Sequence, residues 1–335
     1  MKKKMMRILA FMLLGVLLLS GCSVNINVNE KANLVQEDVT VRVGGLKGPT
    51  TIGLLKLKDE AANNNTKQKY DFTMATAADE ITTALVKGEI DIALIPANVA
   101  SVLYNKTEGG ISVIDINTLG VLYMVSGDDS ISDISDLEGK TIILTGKGTT
   151  PDYVLQYLLA KGDLTDKVSL EYKSEATEVA AVLAENPMAI GLLPQPFVTV
   201  ACAQNDNLKV IFDTTKLWDQ YKQEGGSRLV TGVTVVRNDF LKAHENQVEE
   251  FIKDHEMSAK AAEDELELVA ALSVQEEIIP KEPVAMKAIP NCNITCIAGK
   301  EMKEALSGYL QVLNDLNPES IGGKLPGDDF YYIEK

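Results

Sequence analysis

Apolar and polar positions follow one pattern twice, about a hundred residues apart. The first copy starts at Val39 with VTVRVGGLKGPTTIGLLKL, continues through YDFTMATAADEITTALVKG and ends in EIDIALIPANVASVLY. The second starts at Lys140 with KTIILTGKGTTPDYVLQYLLAKG, continues through KVSLEYKSEATEVAAVLAEN and ends in PMAIGLLPQPFVTVAC. Each reads as strand, glycine-rich turn, helix, strand, helix, strand, and a proline-polar turn opening another helix. Gly48 lies 48 positions before Pro96, and Gly148 lies 46 before Pro194. The run Ile90 to Ile95 suits a strand buried on both faces, whereas Ala77, Ile81, Ala84 and Leu85 recur at helical spacing. Strands alternating with helices of this length imply parallel sheets with right-handed crossovers. The expected fold is α/β: two similar lobes, each a mostly parallel sheet flanked by helices, joined by two crossing strands. A cleft between such lobes is where small ligands bind.

Residues 111–125, ISVIDINTLGVLYMV, read as the first crossing, and 228–238, RLVTGVTVVRN, as the second. The chain then divides into lobe 1, residues 38–125 plus 233–335, and lobe 2, residues 126–232. Gly232 fits a hinge or a bulge equally well. After the second crossing, helices are expected over 239–264, 266–273 and 299–314, the last with Met302, Leu306, Leu310 and Leu313 on one face.

Composition adds the compartment. The first residues, MKKKMMRILAFMLLGVLLLSGC, carry a basic head, an apolar run from Ile8 to Leu19 and small residues before a cysteine, which is a secretory signal over residues 1–21. That run falls short of the ~20 residues a spanning helix needs. Leu19-Ser20-Gly21-Cys22 resembles the lipobox of bacterial lipoproteins, which implies cleavage before Cys22, a lipid on its thiol and an extracytoplasmic, lipid-anchored protein. Residues 22–37 read as a flexible tether. The formal net charge is −16, and loss of Lys2, Lys3, Lys4 and Arg7 with the signal takes it to −20. So acidic a chain repels phosphates and excludes nucleic acid as a partner.

Beyond Cys22 the cysteines are Cys202, Cys292 and Cys296. A turn or helix over 292–296 permits a disulfide; a strand, favoured by the alternation, holds the α-carbons ~13 Å apart and forbids it. Zinc needs about four ligands. The two histidines, His244 and His255, sit in a long polar helix with no thiol nearby in sequence. No metal or cofactor is therefore expected, and the cysteines read as small buried residues.

The chemistry lies in turns after strand ends, where helix starts present backbone N–H groups and glycines let a ligand approach. The candidate ligand-binding residues are Leu46, Lys47, Gly48, Thr50 and Thr51; Thr76; Asn98; Gly146, Gly148, Thr149 and Thr150; Gln195; and Thr231. The threonine pairs occupy matching places in both copies, and helix capping is their alternative role. Lys47 and Lys147 also match, as a two-sided clamp on an anion or as solvent-exposed side chains. Gly146-Lys147-Gly148-Thr149 is like the end of a phosphate loop, but Thr141 stands where that motif needs a glycine, which argues against an ATPase. None of these turns contains a His, Cys or carboxylate, so no catalytic residue is expected.

The Gly-Leu-Lys-Gly-Pro-Thr turn, the Gly-Glu-Ile-Asp-Ile-Ala segment from Gly88, the Gly-Lys-Gly-Thr-Thr-Pro turn and the lipobox carry a resemblance. Residues 38–335 resemble the substrate-binding lipoproteins of ABC importers, in the type 2 periplasmic-binding-protein group that includes sulfonate, taurine, nitrate and thiamine-pyrimidine-precursor binders. The resemblance implies a monomer whose lobes close on a small polar organic ligand and dock to a membrane permease. A sensing or partner-binding lipoprotein is the alternative, and enzymes on the same fold, a pyrimidine synthase and a chorismate-processing lyase, are a further one.

Overall fold

The computed structural model describes residues 39–221 and 227–334, so the expected signal, the tether and Cys22 lie outside the described residues. The first copy of the pattern forms β1 (Thr40–Leu46), α1 (Pro49–Ile52), α2 (Leu55–Ala62), β2 (Lys69–Ala75), α3 (Ala78–Lys87), β3 (Ile92–Pro96) and α4 (Ala97–Lys106). Two strands follow, β4 (Ile111–Leu119) and β5 (Leu122–Ser126). The second copy forms β6 (Thr141–Thr145), α5 (Thr150–Lys161), β7 (Ser169–Lys173), α6 (Ala176–Glu185), β8 (Ile190–Pro194) and α7 (Phe197–Gln204), then β9 (Lys209–Asp213) and α8 (Thr214–Tyr221). The remainder is β10 (Val230–Arg237), α9 (Asn238–Ala243), α10 (Glu245–Asp264), α11 (Leu266–Gln275), α12 (Glu282–Ala288), β11 (Ile294–Ala298) and α13 (Gly299–Leu316).

Local rules account for several boundaries. Pro49 and Pro151 sit in the first turns of α1 and α5, where the missing N–H costs nothing. Gly88, at φ +74°, ends α3 in the left-handed conformation and returns its N–H to the last carbonyls. Central strands β3, β4 and β5 are buried almost throughout, whereas the outer strands β2 and β7 alternate.

The strands form two sheets, in the orders β11-β4-β10-β3-β1-β2 and β7-β6-β8-β5-β9. In the first, β2, β1 and β3 run parallel and β10 lies antiparallel beside β3; in the second, β7, β6 and β8 run parallel and β5 lies antiparallel beside β8. In each sheet the reversed strand beside the last parallel strand, β10 beside β3 and β5 beside β8, is the one that arrives from the other lobe; β11 is also reversed, beside β4 at the edge of the first sheet. β5 enters the second sheet from β4, and β10 enters the first sheet from the second lobe. A reversed strand begins where its parallel neighbours end, so both crossings deliver their first residues to the carboxyl edge of the receiving sheet.

Strand pairing revises two expectations and decides between the alternatives of a third. Residues 111–125 are not one crossing strand but two strands in different sheets, broken at Gly120–Val121, so residues 122–125 belong with the second sheet. β10 is in the first sheet from Val230, ahead of the expected boundary at 233. Of the two roles open to Gly232, hinge or bulge, the strand pairing matches the bulge: it pairs with Pro96 and Thr118 between two register shifts, and a β-carbon there would come within 2.3 Å of Asn117 Oδ1 and 2.6 Å of Thr50 Cγ2. The tight crossing is at Gly120, where a β-carbon would meet Thr215 Oγ1 at 2.1 Å and Leu229 Cδ2 at 2.7 Å.

The lobes share core on one side. Trp218 of α8 is fully buried, with ring centroids 4.2 Å from Tyr157 of α5 and 5.7 Å from Tyr309 of α13. Within lobe 1, Asp91 is held by the Arg42 backbone N–H and guanidinium and by Arg237 Nη2 at 3.0 Å. Burial pushes this carboxyl up, but the hydrogen bonds from Arg42 and Arg237 outweigh it and hold the group below the usual carboxylate range.

Cys202, Cys292 and Cys296 carry free thiols. Cys292 is buried where α12 runs out, and burial pushes its thiol up to about 12. No thiol lies near the histidines along the chain, but in the fold α10 and β11 bring Cys296 Sγ to 3.9 Å from His255 Nδ1.

Candidate functional site

The carboxyl edges of the two sheets face one another across a cavity of about 690 Å³. From lobe 1 it is lined by Lys47, Gly48, Pro49 and Thr50 between β1 and α1, by Thr231 at the start of β10, and by Ile278 and Pro280 ahead of α12. Lobe 2 supplies Thr150 and Pro151 at the start of α5, and Pro194, Gln195, Pro196 and Phe197 between β8 and α7. Val121 and Leu122, where the first crossing enters β5, form part of the floor. One wall is the small-residue face of α6, Thr177, Ala180, Ala181 and Ala184, with Val200 and Gln204 of α7 beside it.

Of the thirteen candidate residues, Lys47, Gly48, Thr50, Thr150, Gln195 and Thr231 line this cavity. Asn98 touches its edge by accepting a 3.3 Å hydrogen bond from Thr150 Oγ1, a contact that links α4 of one lobe to α5 of the other. The other six lie elsewhere. Thr51 follows Thr50 around α1 and turns back beneath β1, fully buried against Gly45. Leu46 packs on the core, and Thr76 is exposed. Gly146, Gly148 and Thr149 build the loop ahead of α5 without lining the cavity, and Thr149 Oγ1 donates to Gly146 O at 2.6 Å.

That loop is satisfied from within. Asp152, in the first turn of α5 and nearly inaccessible, accepts from Gly148 N–H at 2.7 Å, from Gln156 Nε2 at 2.7 Å and from Tyr172 OH at 2.8 Å. The carboxylate therefore takes up a backbone donor that the sequence reading had offered to a ligand. Lys147 lies 5.4 Å from the centre of the Tyr172 ring, away from the cavity. The two-lysine clamp does not form. Lys47 faces the cavity from one side, and its Nζ is 2.6 Å from Glu277 Oε2.

Sequence reasoning missed the walls contributed by α6, by α7 and by Ile278 and Pro280. The recurrence of Thr177, Ala180, Ala181 and Ala184 at helical spacing on one face was the available signal, because small side chains let a ligand or a second element approach closely. Ile278 and Pro280 carried no such signal; they reach the cavity only through the fold of α11 and α12.

Among the described residues the lining holds no His, Cys or carboxylate, and its polar groups are hydroxyls, carboxamides and one ammonium. Such a surface can enclose and orient a small molecule. Residues 61–273 match the family model described as "ABC transporter, phosphonate, periplasmic substrate-binding protein". The chain belongs to this family. An ABC transporter crystal structure from Parabacteroides distasonis matches with a TM-score of 0.74 at 24% identity, over 88% of this chain and 99% of that one. The periplasmic aliphatic sulphonate binding protein SsuA from Escherichia coli matches with a TM-score of 0.67 at 15% identity, over 85% and 95%. The alkanesulfonate-binding protein SsuA from Xanthomonas axonopodis pv. citri, bound to MOPS, matches at 0.61 and 15%, over 86% and 94%. At these identities the likenesses establish the fold alone. No curated protein matches the sequence.

As an ABC substrate-binding protein, the chain works outside the cytoplasm and hands a small molecule to a permease. Among the described residues no helix is long and apolar enough to cross a membrane.

Proposed function

We propose that this substrate-binding protein is a lipoprotein anchored through Cys22 that captures a largely apolar organic molecule with a neutral or singly charged polar head. The observation that carries the reading is the lining of the cleft. Its walls are mainly Pro, Ala, Val, Leu, Ile and Phe side chains, and among the described residues its one ammonium, Lys47, already faces Glu277. Glu277 is 78% exposed, so this ion pair is weak and Lys47 can turn to a ligand. One cation balances one negative charge. A dianionic phosphonate would leave a second charge desolvated among apolar groups, with Glu277 repelling it, at a cost of several kcal/mol. Thr50, Thr150, Thr231 and Gln195 then fix the head by hydrogen bonds, while the small face of α6 receives the apolar body.

Binding closes the lobes about the two crossings, at Gly120–Val121 and ahead of Val230. Only contacts made better in the closed form can drive this, and residues from both lobes supply them. Native mass spectrometry of protein purified without refolding is expected to show a retained molecule of this class. In a thermal-shift panel, alkyl and aryl monoanions should outperform alkyl phosphonates of equal size. Tighter binding of the phosphonates above their second pKa would overturn the ligand assignment. A tight ligand that leaves the radius of gyration of the open protein unchanged would overturn closure. Fatty-acid labelling that persists in Cys22→Ala would overturn the anchor.

A further inference from the structure

Behind the sheet of lobe 1, away from the cleft, three elements converge on one point. Asp115 of β4, His255 of α10 and Cys296 of β11 each present a ligand atom, and all these atoms lie within 4.8 Å of one another. His255 Nδ1 is 3.1 Å from Asp115 Oδ2 and 3.9 Å from Cys296 Sγ. A tetrahedral ion with bonds of about 2.0 Å to nitrogen and oxygen and about 2.3 Å to sulfur spaces its ligand atoms roughly 3.3–3.5 Å apart. The two separations from His255 Nδ1 come within a few tenths of an ångström of that spacing. We infer that Asp115, His255 and Cys296 form a site for one divalent transition-metal ion of the zinc class, with a solvent molecule as fourth ligand.

The surroundings fit this chemistry. Imidazole, carboxylate and thiolate together suit zinc or cobalt and disfavour magnesium or calcium, which require oxygen. Asp115 and His255 are wholly inaccessible. Thr234 Oγ1 donates to Asp115 Oδ1 at 2.7 Å and accepts from Asn117 Nδ2 at 3.2 Å, leaving Oδ2 aimed at the ion. His255 Nε2 is buried with no hydrogen-bond partner among the described residues, so it is open to carry the ring proton when Nδ1 binds an ion, while packing on Phe251 holds the ring in place. Cys296 alone reaches the surface, at the wall of a groove of about 560 Å³ shared with Glu256, Lys260 and Glu263. The groove is the ion's route, and the coordinating solvent sits on that side. Loading exchanges protons for metal: the thiol gives its proton to water as the metal–sulfur bond forms, and the Nδ1 proton shared with Asp115 passes through solvent to Nε2, freeing the Nδ1 lone pair for the ion. Asp115 and the thiolate then balance the two positive charges. The ion would pin edge strand β11 to β4 and α10 in lobe 1.

The test uses the full chain, reduced and stripped of metal, titrated with Co²⁺. One equivalent should bind with a thiolate-to-cobalt charge-transfer absorption and the visible bands of tetrahedral cobalt, and Zn²⁺ should bleach both. Cys296→Ser should lose the charge-transfer band, while Cys292→Ser and Cys202→Ser keep it. Thr234→Ala should weaken binding about 10- to 100-fold by freeing Asp115 to rotate. Should Cys296→Ser fail to fold, alkylation of the wild-type chain decides: Zn²⁺ should slow modification of Cys296 and leave Cys202 unaffected. Absence of a thiolate band at saturating cobalt, persistence of the band in Cys296→Ser, or equal alkylation of Cys296 with and without Zn²⁺ would each overturn the site.

Discussion

The two lobes build one pattern but anchor it at different places. In lobe 1 the strand is fixed: Asp91 immediately precedes β3 and is clasped by Arg42 and Arg237. In lobe 2 the corresponding residue before β8 is Ala189, and Thr141 stands where lobe 1 has Arg42; the register is the same, since Val43 pairs with Ile92 and Ile142 with Ile190. Lobe 2 instead fixes the loop, through Asp152 and its three donors. Lobe 1's own loop is tied from outside by Lys47 and Glu277, a side chain and a partner both free to rearrange. The difference teaches that the cleft has a helix start with a pre-set loop behind it on one side and an adjustable turn on the other.

The comparison breaks most severely at Asp91. Removing it leaves Arg42 and Arg237 facing one another beside a buried strand, and Asp91→Ala should destabilise the protein by about 3 kcal/mol, the lower end for a broken buried pair because Arg42 is 38% exposed. Because the folded-state pKa of Asp91 lies below its unfolded value, its contribution is complete above the unfolded pKa and is lost as pH falls through the folded one. Chemical denaturation as a function of pH should show an acid limb in the wild type that Asp91→Asn flattens; an unaltered limb would assign acid lability elsewhere.

A smaller effect separates the two loops in binding. Thr50→Val and Thr150→Val each leave a ligand group without its partner and should cost ~1–3 kcal/mol, or roughly ten- to hundredfold in affinity. Thr51→Val and Thr149→Val should leave affinity unchanged, because neither residue lines the cavity. Calorimetry with the retained ligand would show this, and equal losses at all four positions would mean that both loops rearrange on closure.

The mildest test concerns the matching glycines. Gly148 holds φ +72°, so Gly148→Ala should cost about 1 kcal/mol, whereas Gly48 has an extended backbone and open space around it, and Gly48→Ala should be near neutral. Melting temperatures of the two variants would sharpen the contrast between a left-handed, self-sufficient loop and an extended one. Similar values for both would remove it.

The repeat, its turns and its helix starts were legible in the sequence because they rest on local rules. Strand and helix periods, proline in a first turn and glycine at positive φ act within a few residues. Those rules were enough to find two α/β lobes, the cleft between them and six of the residues that line it. They could not find which of two adjacent threonines faces the cavity, because that depends on where β1 and β10 press against α1. Nor could they show that Asp152 would use a donor offered by its own loop. Acidity and paired lysines pointed to no ligand, since only the packed cleft shows that Lys47 enters it and Lys147 does not.

By itself, then, the sequence determined the α/β class, the duplication and the chemistry available at each turn. Tertiary structure alone decided the exchange of β5 and β10 between sheets, the boundary at Gly120–Val121, the role of Gly232 and the meeting of Asp115, His255 and Cys296. The reason is range. Hydrophobic period and turn chemistry are encoded between neighbours, but Asp115 and His255 are 140 residues apart, and Arg237 and Asp91 146. Only the pairing of distant strands, which buries their apolar faces together, brings such groups within bonding distance.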